Sequence, residues 1–316
     1  MQYHTLDDID IDILRILISD CRTSYRSMGV SIGMSTNAIK TRVARLVSQG
    51  IIQRFMTFID YAIFGYSKVC YLTIRDIRTV EKALNRFKLL GEVVLEVNCI
   101  GGISLVGIAI RKEEEEKIQL LVEALKPALI QNMVMGHSNP VRLNLLHTDF
   151  KIIKCLISDA RMEISEIAKR VSVTPKTVSS RLAKMQESRI LNFIVTTNPL
   201  NMKGYIRFGM IIRLDRRRRD DYQKSIKHIQ EELETRFVIV VPINFQEDVT
   251  NFQLFARSIF EIDPALKKIE SLNGVRGADV FIPYSGKVHQ DWILREIDNR
   301  LNTKEVVSSA PHVLTF

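Results

Sequence analysis

The sequence predicts an α+β chain in which one two-part unit is used twice, and three observations say so. Residues 10 to 66 return at residues 149 to 205 without a gap, every matched pair 139 positions apart, so that LISDCR at 17–22 becomes LISDAR at 156–161 and Gly65-Tyr66 becomes Gly204-Tyr205. The apolar register holds across the repeat: Ile13 and Ile152, Leu17 and Leu156, Ile18 and Ile157, Ile39 and Val178, Val43 and Leu182, Leu46 and Met185. Each copy is then followed by a longer segment in which strand and helix patterns alternate. An internal repeat of this length is read first, because it decides the architecture.

The first copy opens with Thr5 as the expected N-cap, acidic residues in the first turn, and Ile9, Ile13, Leu14, Leu17 and Ile18 on one face of a helix. Ser24 to Ile32 reads as a short second helix, Gly33 breaks it, and Ser35 caps a third that runs to about Gln49. Gly50 ends that helix and IIQRFMTFI alternates as a strand, the start of a wing. The second copy repeats each step: a helix from Asp149 to Ser158, one from Glu163 to Val171, Thr174 as cap with Pro175 in the favoured first position, a helix to Glu187, and the strand ILNFIVTT. Helix, short helix, turn, helix, wing is the order of a winged helix-turn-helix.

After the first copy, SKVCYLTIRD reads as a strand, TVEKALNRFKLLG as a helix, EVVLEVNCIGGISLVGIAIR as two strands around Gly101-Gly102, KEEEEKIQLLVEALK as a helix and PALIQNMVM as a strand. That βαββαβ order is ferredoxin-like, and it recurs in IRFGMIIRLD, RDDYQKSIKHIQEEL, FVIVVPI, FQLFARS, DPALKKIESL and ADVFIPY. The expected domains are therefore a winged helix-turn-helix at 1–65, a ferredoxin-like module at 66–137, a second winged helix-turn-helix at 138–204, a second ferredoxin-like module at 205–284, and a C-terminal helix and tail at 285–316. Gly136 to Pro140 is the expected linker between halves. Val288, Trp292, Ile293, Ile297 and Leu301 place one apolar face on the extra helix, which either covers an exposed edge, joins two chains as a homodimer, or simply caps the fold; all three remain open.

Lys and Arg outnumber Asp and Glu by 45 to 36, a net charge of +9, which favours an anionic partner; a basic soluble enzyme would show the same balance. Cys21, Cys70, Cys99 and Cys155 lack C-x-x-C spacing and read as free, mostly buried thiols, and the 6 histidines form no cluster, so neither a metal nor another cofactor is expected. No apolar run approaches the ~18 residues that span a bilayer. The N-terminus lacks the basic start and apolar stretch of a signal peptide, so no membrane partner and a cytoplasmic location are expected.

The chemistry concentrates on the third helix of each copy. Ile39, Val43 and Leu46 lie at i, i+4 and i+7 and face the core, which turns Asn37, Lys40, Thr41 and Ala44 outward, with Ser35 and Thr36 at the helix start. In the second copy Val178, Leu182 and Met185 turn inward, and Lys176, Ser179, Ser180 and Ala183 turn outward behind Thr174 and Thr177. Arg42 and Arg45, matched by Arg181 and Lys184, are expected to flank that face at angles suited to phosphates. Short polar side chains in the centre can meet base edges while cations at the margins hold register on the backbone. A solvated amphipathic helix would look the same in isolation. The pattern, however, occurs twice, a small residue (Gly29 or Ala168) marks a close helix approach, and residues 21 to 59 hold Arg22, Arg26, Lys40, Arg42, Arg45 and Arg54 without one acidic residue.

With these residues in view, LDDIDIDILRILISDCR followed by MSTNAIKTRVARLVSQGIIQRF resembles the N-terminal domain of the leucine-responsive regulatory protein and AsnC family of transcription regulators. D-x-x-D-x-x-I-L in the first helix, the recognition helix, and Q-G-x-I before the wing all stand at the family spacing. The resemblance implies a DNA-binding domain followed by a ferredoxin-like effector and oligomerisation domain, and because both halves fit that layout it covers nearly the whole chain. Ordinary members carry one copy and dimerise, whereas this chain carries two and would act on duplex DNA as an intramolecular pseudo-dimer. The family's amino-acid or other small-molecule pocket resembles a glycine-containing turn; Cys99 to Ser104 offers one, and Asn244 to Asp248 in the second half does not. A plain hairpin turn explains Gly101-Gly102 equally. Siroheme decarboxylases resemble the same architecture and hold a tetrapyrrole with His, Arg and Tyr, but VVLEVNCIGGISLVGIAI and FVIVVPINFQEDVTNFQLFA contain neither His nor Tyr, which disfavours an enzyme. An architectural DNA-binding protein with little sequence preference stays open. Glu113 to Glu116 reads as a helix start, and Arg216 to Arg219 as a solvated loop or a contact to an anion or an acidic surface.

Overall fold

In a computed structural model, which describes residues 5–75, 84–125, 130–137, 143–215, 229, 231, 237–240 and 249–302, with backbone alone at 121, 122, 124, 125, 130–137 and 237–240, helix α1 spans Asp8–Ser19. Its cap is Asp7 rather than the expected Thr5. The Asp7 carboxylate accepts from the Asp10 N–H at 2.8 Å and Asp10 returns the bond to the Asp7 N–H, a reciprocal box that neutralises two orphan donors. Ser24 caps α2 (Tyr25–Ile32), which Gly33 ends at φ 78°, and Ser35 caps α3 (Thr36–Ser48). Gly29 is where α2 meets the following turn. A Cβ there would lie 2.5 Å from the Met34 carbonyl oxygen, and Met34 donates its N–H to the Gly29 carbonyl at 2.8 Å. Gly29→Ala is therefore expected to cost about 1–3 kcal/mol by urea denaturation, even though the second copy holds Ala168, buried, at the matching position.

Strand β1 (Ile52–Ile59) leads through a short 3-10 turn at Tyr61–Phe64 to β2 (Lys68–Arg75), helical residues 84–87, β3 (Glu92–Cys99), β4 (Ile103–Ile110), α4 (Glu115–Leu125) and β5 (Ile130–His137). β2 to β5 form an antiparallel sheet in the order β3-β4-β2-β5, the expected ferredoxin-like topology. Gly101 and Gly102 turn the β3–β4 hairpin at φ 86° and 73°, as a tight turn with two left-handed residues demands. The second half repeats the plan with α5 (His147–Ser158), α6 (Ile164–Val171), α7 (Pro175–Glu187), β6 (Leu191–Thr197), β7 (Ile206–Leu214), β8 (Phe237–Val240), β9 (Val249–Ala256), α8 (Ile262–Glu270) and β10 (Val275–Phe281), the sheet running β10-β7-β9-β8. Arg216 to Arg219, most of the helix expected at 219–233, Asn244 to Asp248, residues 138–140 of the expected linker and the tail 305–316 lie outside the described residues; Gly136 itself belongs to β5.

The C-terminal segment departs from expectation. It is not a helix from 285 but first a strand, β11 (Pro283–Val288), which pairs antiparallel with β3 and extends the first sheet to five strands; only then does α9 (Asp291–Asn302) begin. Val288 therefore ends a strand instead of lining the helix. Trp292, Ile293 and Ile297 are buried within their own chain, where Trp292 meets Tyr61, Phe64 and Tyr66 edge-on at 5.1, 5.8 and 5.1 Å. The edge that the segment covers is thus the first sheet's β3, and the segment bridges halves: Arg111 pairs with Glu296, and Lys154 on α5 pairs with Asp298.

Pairing of β1 with β6 sets the relation between the halves. In both copies, the strand expected to open a wing takes as its partner the matching strand of the other copy. Phe55 faces Val195 and Met56 faces Ile194. Phe55 and Ile194 are repeat counterparts, as are Met56 and Val195, so exchanging the copies maps the ladder onto itself and a pseudo-twofold axis passes between these two pairs. The strongest repeated motif, LISDCR and LISDAR, has its reason here. Arg22 donates to the carbonyls of Ala160 and Met162 at 2.7 and 3.1 Å and lies over the Phe193 ring, while its counterpart Arg161 lies over Tyr25 and Phe55. Each loop reaches across the axis to the other copy. One apolar core accordingly runs through both helix-turn-helix units, the paired strands and α9, and separate cores lie beneath each ferredoxin-like sheet. The cysteines are free as expected, with burial pushing the Cys21 and Cys70 thiols up to about 12 and Cys99 to about 11.

Candidate nucleic-acid interface

The outer face of α3 is exposed at Ser35, Thr36, Asn37, Lys40, Thr41 and Ala44, and that of α7 at Thr174, Lys176, Thr177, Ser179, Ser180, Ala183 and Lys184. Beneath them Ile39, Val43 and Leu46, and Val178, Leu182 and Met185, are buried as their spacing predicts. Thr174 caps α7 by accepting from the Thr177 N–H at 3.1 Å, and Pro175 follows, so this helix starts as sharply as its sequence implies. Both outer faces combine hydroxyls, an amide or a short aliphatic group with lysine, a set able to match base edges and phosphates.

The expected outward turn of Arg42, Arg45 and Arg181 is not what the structure shows. Arg42 donates to both oxygens of Asp7 at 2.9 and 2.8 Å and to Asp10 at 2.8 Å, and Arg45 grips the two oxygens of Asp10 at 2.7 and 2.8 Å. Asp10 is fully buried. In the second copy the buried Asp149 is held bidentately by Arg181 and accepts the Leu146 N–H at 2.7 Å. These arginines brace the recognition helix against the first helix. Of the four expected phosphate contacts, only Lys184 stays exposed. Helical spacing placed the arginines at the margin of the outer face correctly, but at such a margin a long side chain can turn either way, and the carboxylate decides.

Cations do remain outside, and sequence reasoning singled out Arg26, Lys40, Arg54, Lys176 and Lys184 among them but not Lys151, Lys169 or Arg189. Among the described residues, Arg26, Lys40 and Arg54 in the first copy, and Lys151, Lys169, Lys176, Lys184 and Arg189 in the second, are exposed and make no ion pair. His289, just past β11, was not singled out either; it meets Glu96 at 2.7 Å.

Comparison with known proteins places one helix-turn-helix domain in each copy. An AsnC-type helix-turn-helix domain matches residues 6–47, and a winged helix-turn-helix DNA-binding domain matches residues 145–191. The HTH-type transcriptional regulator Ptr1 of Methanocaldococcus jannaschii is 36% identical over 128 residues, which cover 40% of this chain and 86% of that protein. The chain belongs to the AsnC family of transcription regulators. Regulatory protein AsnC of Haemophilus influenzae is 32% identical over 104 residues, 32% of this chain and 69% of its own length. Each relative thus accounts for less than half of this regulator, as a tandem arrangement requires. Among solved structures, the crystal structure of the siroheme decarboxylase NirDL superposes with a TM-score of 0.50 over 93% of this regulator and 99% of that chain, at 13% identity, a likeness of fold alone. Among the described residues, no helix is long and apolar enough to cross a membrane, and no group of His, Cys, Asp and Glu could hold a metal ion.

Proposed function

We propose that this regulator binds duplex DNA in a sequence-specific manner with both recognition helices of one chain at once, as a built-in pseudo-dimer, and that it has no enzymatic activity. The observation that carries this reading is the self-complementary β1–β6 ladder, which relates the exposed faces of α3 and α7 by a pseudo-twofold, the symmetry with which paired helix-turn-helix units meet successive major grooves. Tethering makes the second contact intramolecular, so the chain should bind far more tightly than either half-site contact alone. The tetrapyrrole alternative rests on a likeness of fold at 13% identity.

The half-sites should differ, because Asn37, Lys40 and Thr41 stand in one reading face where Lys176, Ser179 and Ser180 stand in the other. Substituting alanine for Asn37, Lys40, Lys176 or Ser180 should alter base preference at one half-site only, losing about 1–3 kcal/mol per good base contact. Selection of bound sequences from a random duplex pool, repeated for each variant, checks this. Unchanged preferences for all four would contradict the reading.

A further inference from the structure

The two recognition helices end alike but with different residues. At the end of α3, Ile51 donates its N–H to the Leu46 carbonyl at 2.9 Å across the left-handed residue Gly50, φ 66°. At the end of α7, Ile190 donates to Met185 at 2.9 Å across the left-handed residue Arg189, φ 57°. Glycine is preferred at this position because a side chain there is strained. In the first half a Cβ at Gly50 would also lie 2.8 Å from the Asn201 side-chain nitrogen, which would have to shift. The second half instead carries a long cationic side chain that is exposed and, among the described residues, bonds to nothing inside the molecule. A second left-handed position shows the same substitution: Gly33, φ 78°, against Ser172, φ 60°. Strained residues with no internal role point to a task at the surface.

No free cation of one copy recurs in the other. Arg26, Lys40 and Arg54 match Ser165, Ser179 and Phe193, while Lys151, Lys169, Lys176, Lys184 and Arg189 match Asp12, Val30, Asn37, Arg45 and Gly50. Over residues 141 to 205 there are eleven Lys or Arg against five Asp or Glu, and over residues 1 to 65 seven against six, so the second unit is the more cationic. We propose that Arg189 is a DNA-phosphate anchor that the second half possesses and the first lacks, an inference that rests on the DNA-binding reading above. It lies two residues beyond the end of α7, so a helix seated in the groove would carry its guanidinium to the flanking backbone. The alternative role is internal: a cation at a helix C-terminus also steadies the helix dipole.

The full chain and three variants separate the two roles, with binding to a mixed-sequence duplex titrated at several salt concentrations and thermal melting as a second readout. Arg189→Asn keeps a residue that tolerates the left-handed conformation and removes the charge. It should melt no lower than the wild type, bind about fivefold more weakly at ~0.15 M salt, and flatten the salt slope by about 0.9. Arg189→Lys should restore affinity and slope. Ser172→Gly, which relieves the same strain without touching charge, should melt higher and bind with the wild-type slope. A wild-type slope for Arg189→Asn would overturn the anchor alone, as would a lowered melting point without a change in slope, the mark of a helix-dipole role. A wild-type chain that binds no duplex would overturn the anchor together with the reading beneath it.

Discussion

Arg181→Ala is expected to destabilise the regulator by about 3–5 kcal/mol, because it leaves the fully buried Asp149 charge with one backbone N–H and no cation. The equivalent change in the first copy should cost less. Arg42→Ala leaves Arg45 on both oxygens of Asp10, whereas the second copy has Lys184 at that place, exposed and turned away; about 1–3 kcal/mol is the expected loss there. Urea denaturation of both variants tests the ranking, and equal losses would show that Arg45 does not compensate. The first brace also carries a pH dependence. Burial raises the Asp7 carboxyl, but the Asp10 N–H, Arg42 and Arg45 outweigh it and hold the group below its ordinary value of 3.8. Its stabilisation is therefore complete above that value and is lost as pH falls through the lower folded value; Arg42→Ala should narrow the difference between wild type and variant only in acid.

Trp292→Ala is the second large effect expected, about 3–5 kcal/mol for an indole packed among Tyr61, Phe64 and Tyr66 with its N–H donated to the His289 carbonyl at 3.1 Å. The consequence is more than local, since α9 ties the first sheet to the second helix-turn-helix through Glu296 and Asp298. Loss of the anchor should free α5 before the rest of the fold opens. Amide hydrogen exchange should show α5 and α9 losing protection together, with α1 unaffected. Trp292 is the sole tryptophan, so its emission in the wild type reports the same docking; a solvent-like native spectrum would contradict the packing described.

Much of this was legible in the sequence, and the exceptions have physical causes. The repeat, the helix limits set by Ser24, Ser35 and Thr174, the Gly101-Gly102 hairpin and the outward faces of α3 and α7 follow from local chemistry and period. The braces did not, because Asp10 and Arg42 lie 32 residues apart and no period links them. A signal was nevertheless present: Asp10 shares the stripe of Leu14 and Leu17, and an acid in an apolar stripe, repeated at Asp149, needs a cation somewhere. β11 was hidden for a different reason. PYSGKV shows little alternation, since a strand added at a sheet edge needs only its backbone to pair with β3. The pairing of β1 with β6 was not legible either, because alternation announces a strand without naming its partner.

The central claim, that one chain spans two half-sites, is tested most directly by footprinting combined with stoichiometry. At saturating protein, a duplex carrying the selected sequence should be protected over two segments on one face, roughly one helical turn or ~34 Å apart, with one chain bound per duplex. Protection of a single segment, or two chains on each duplex, would contradict the account.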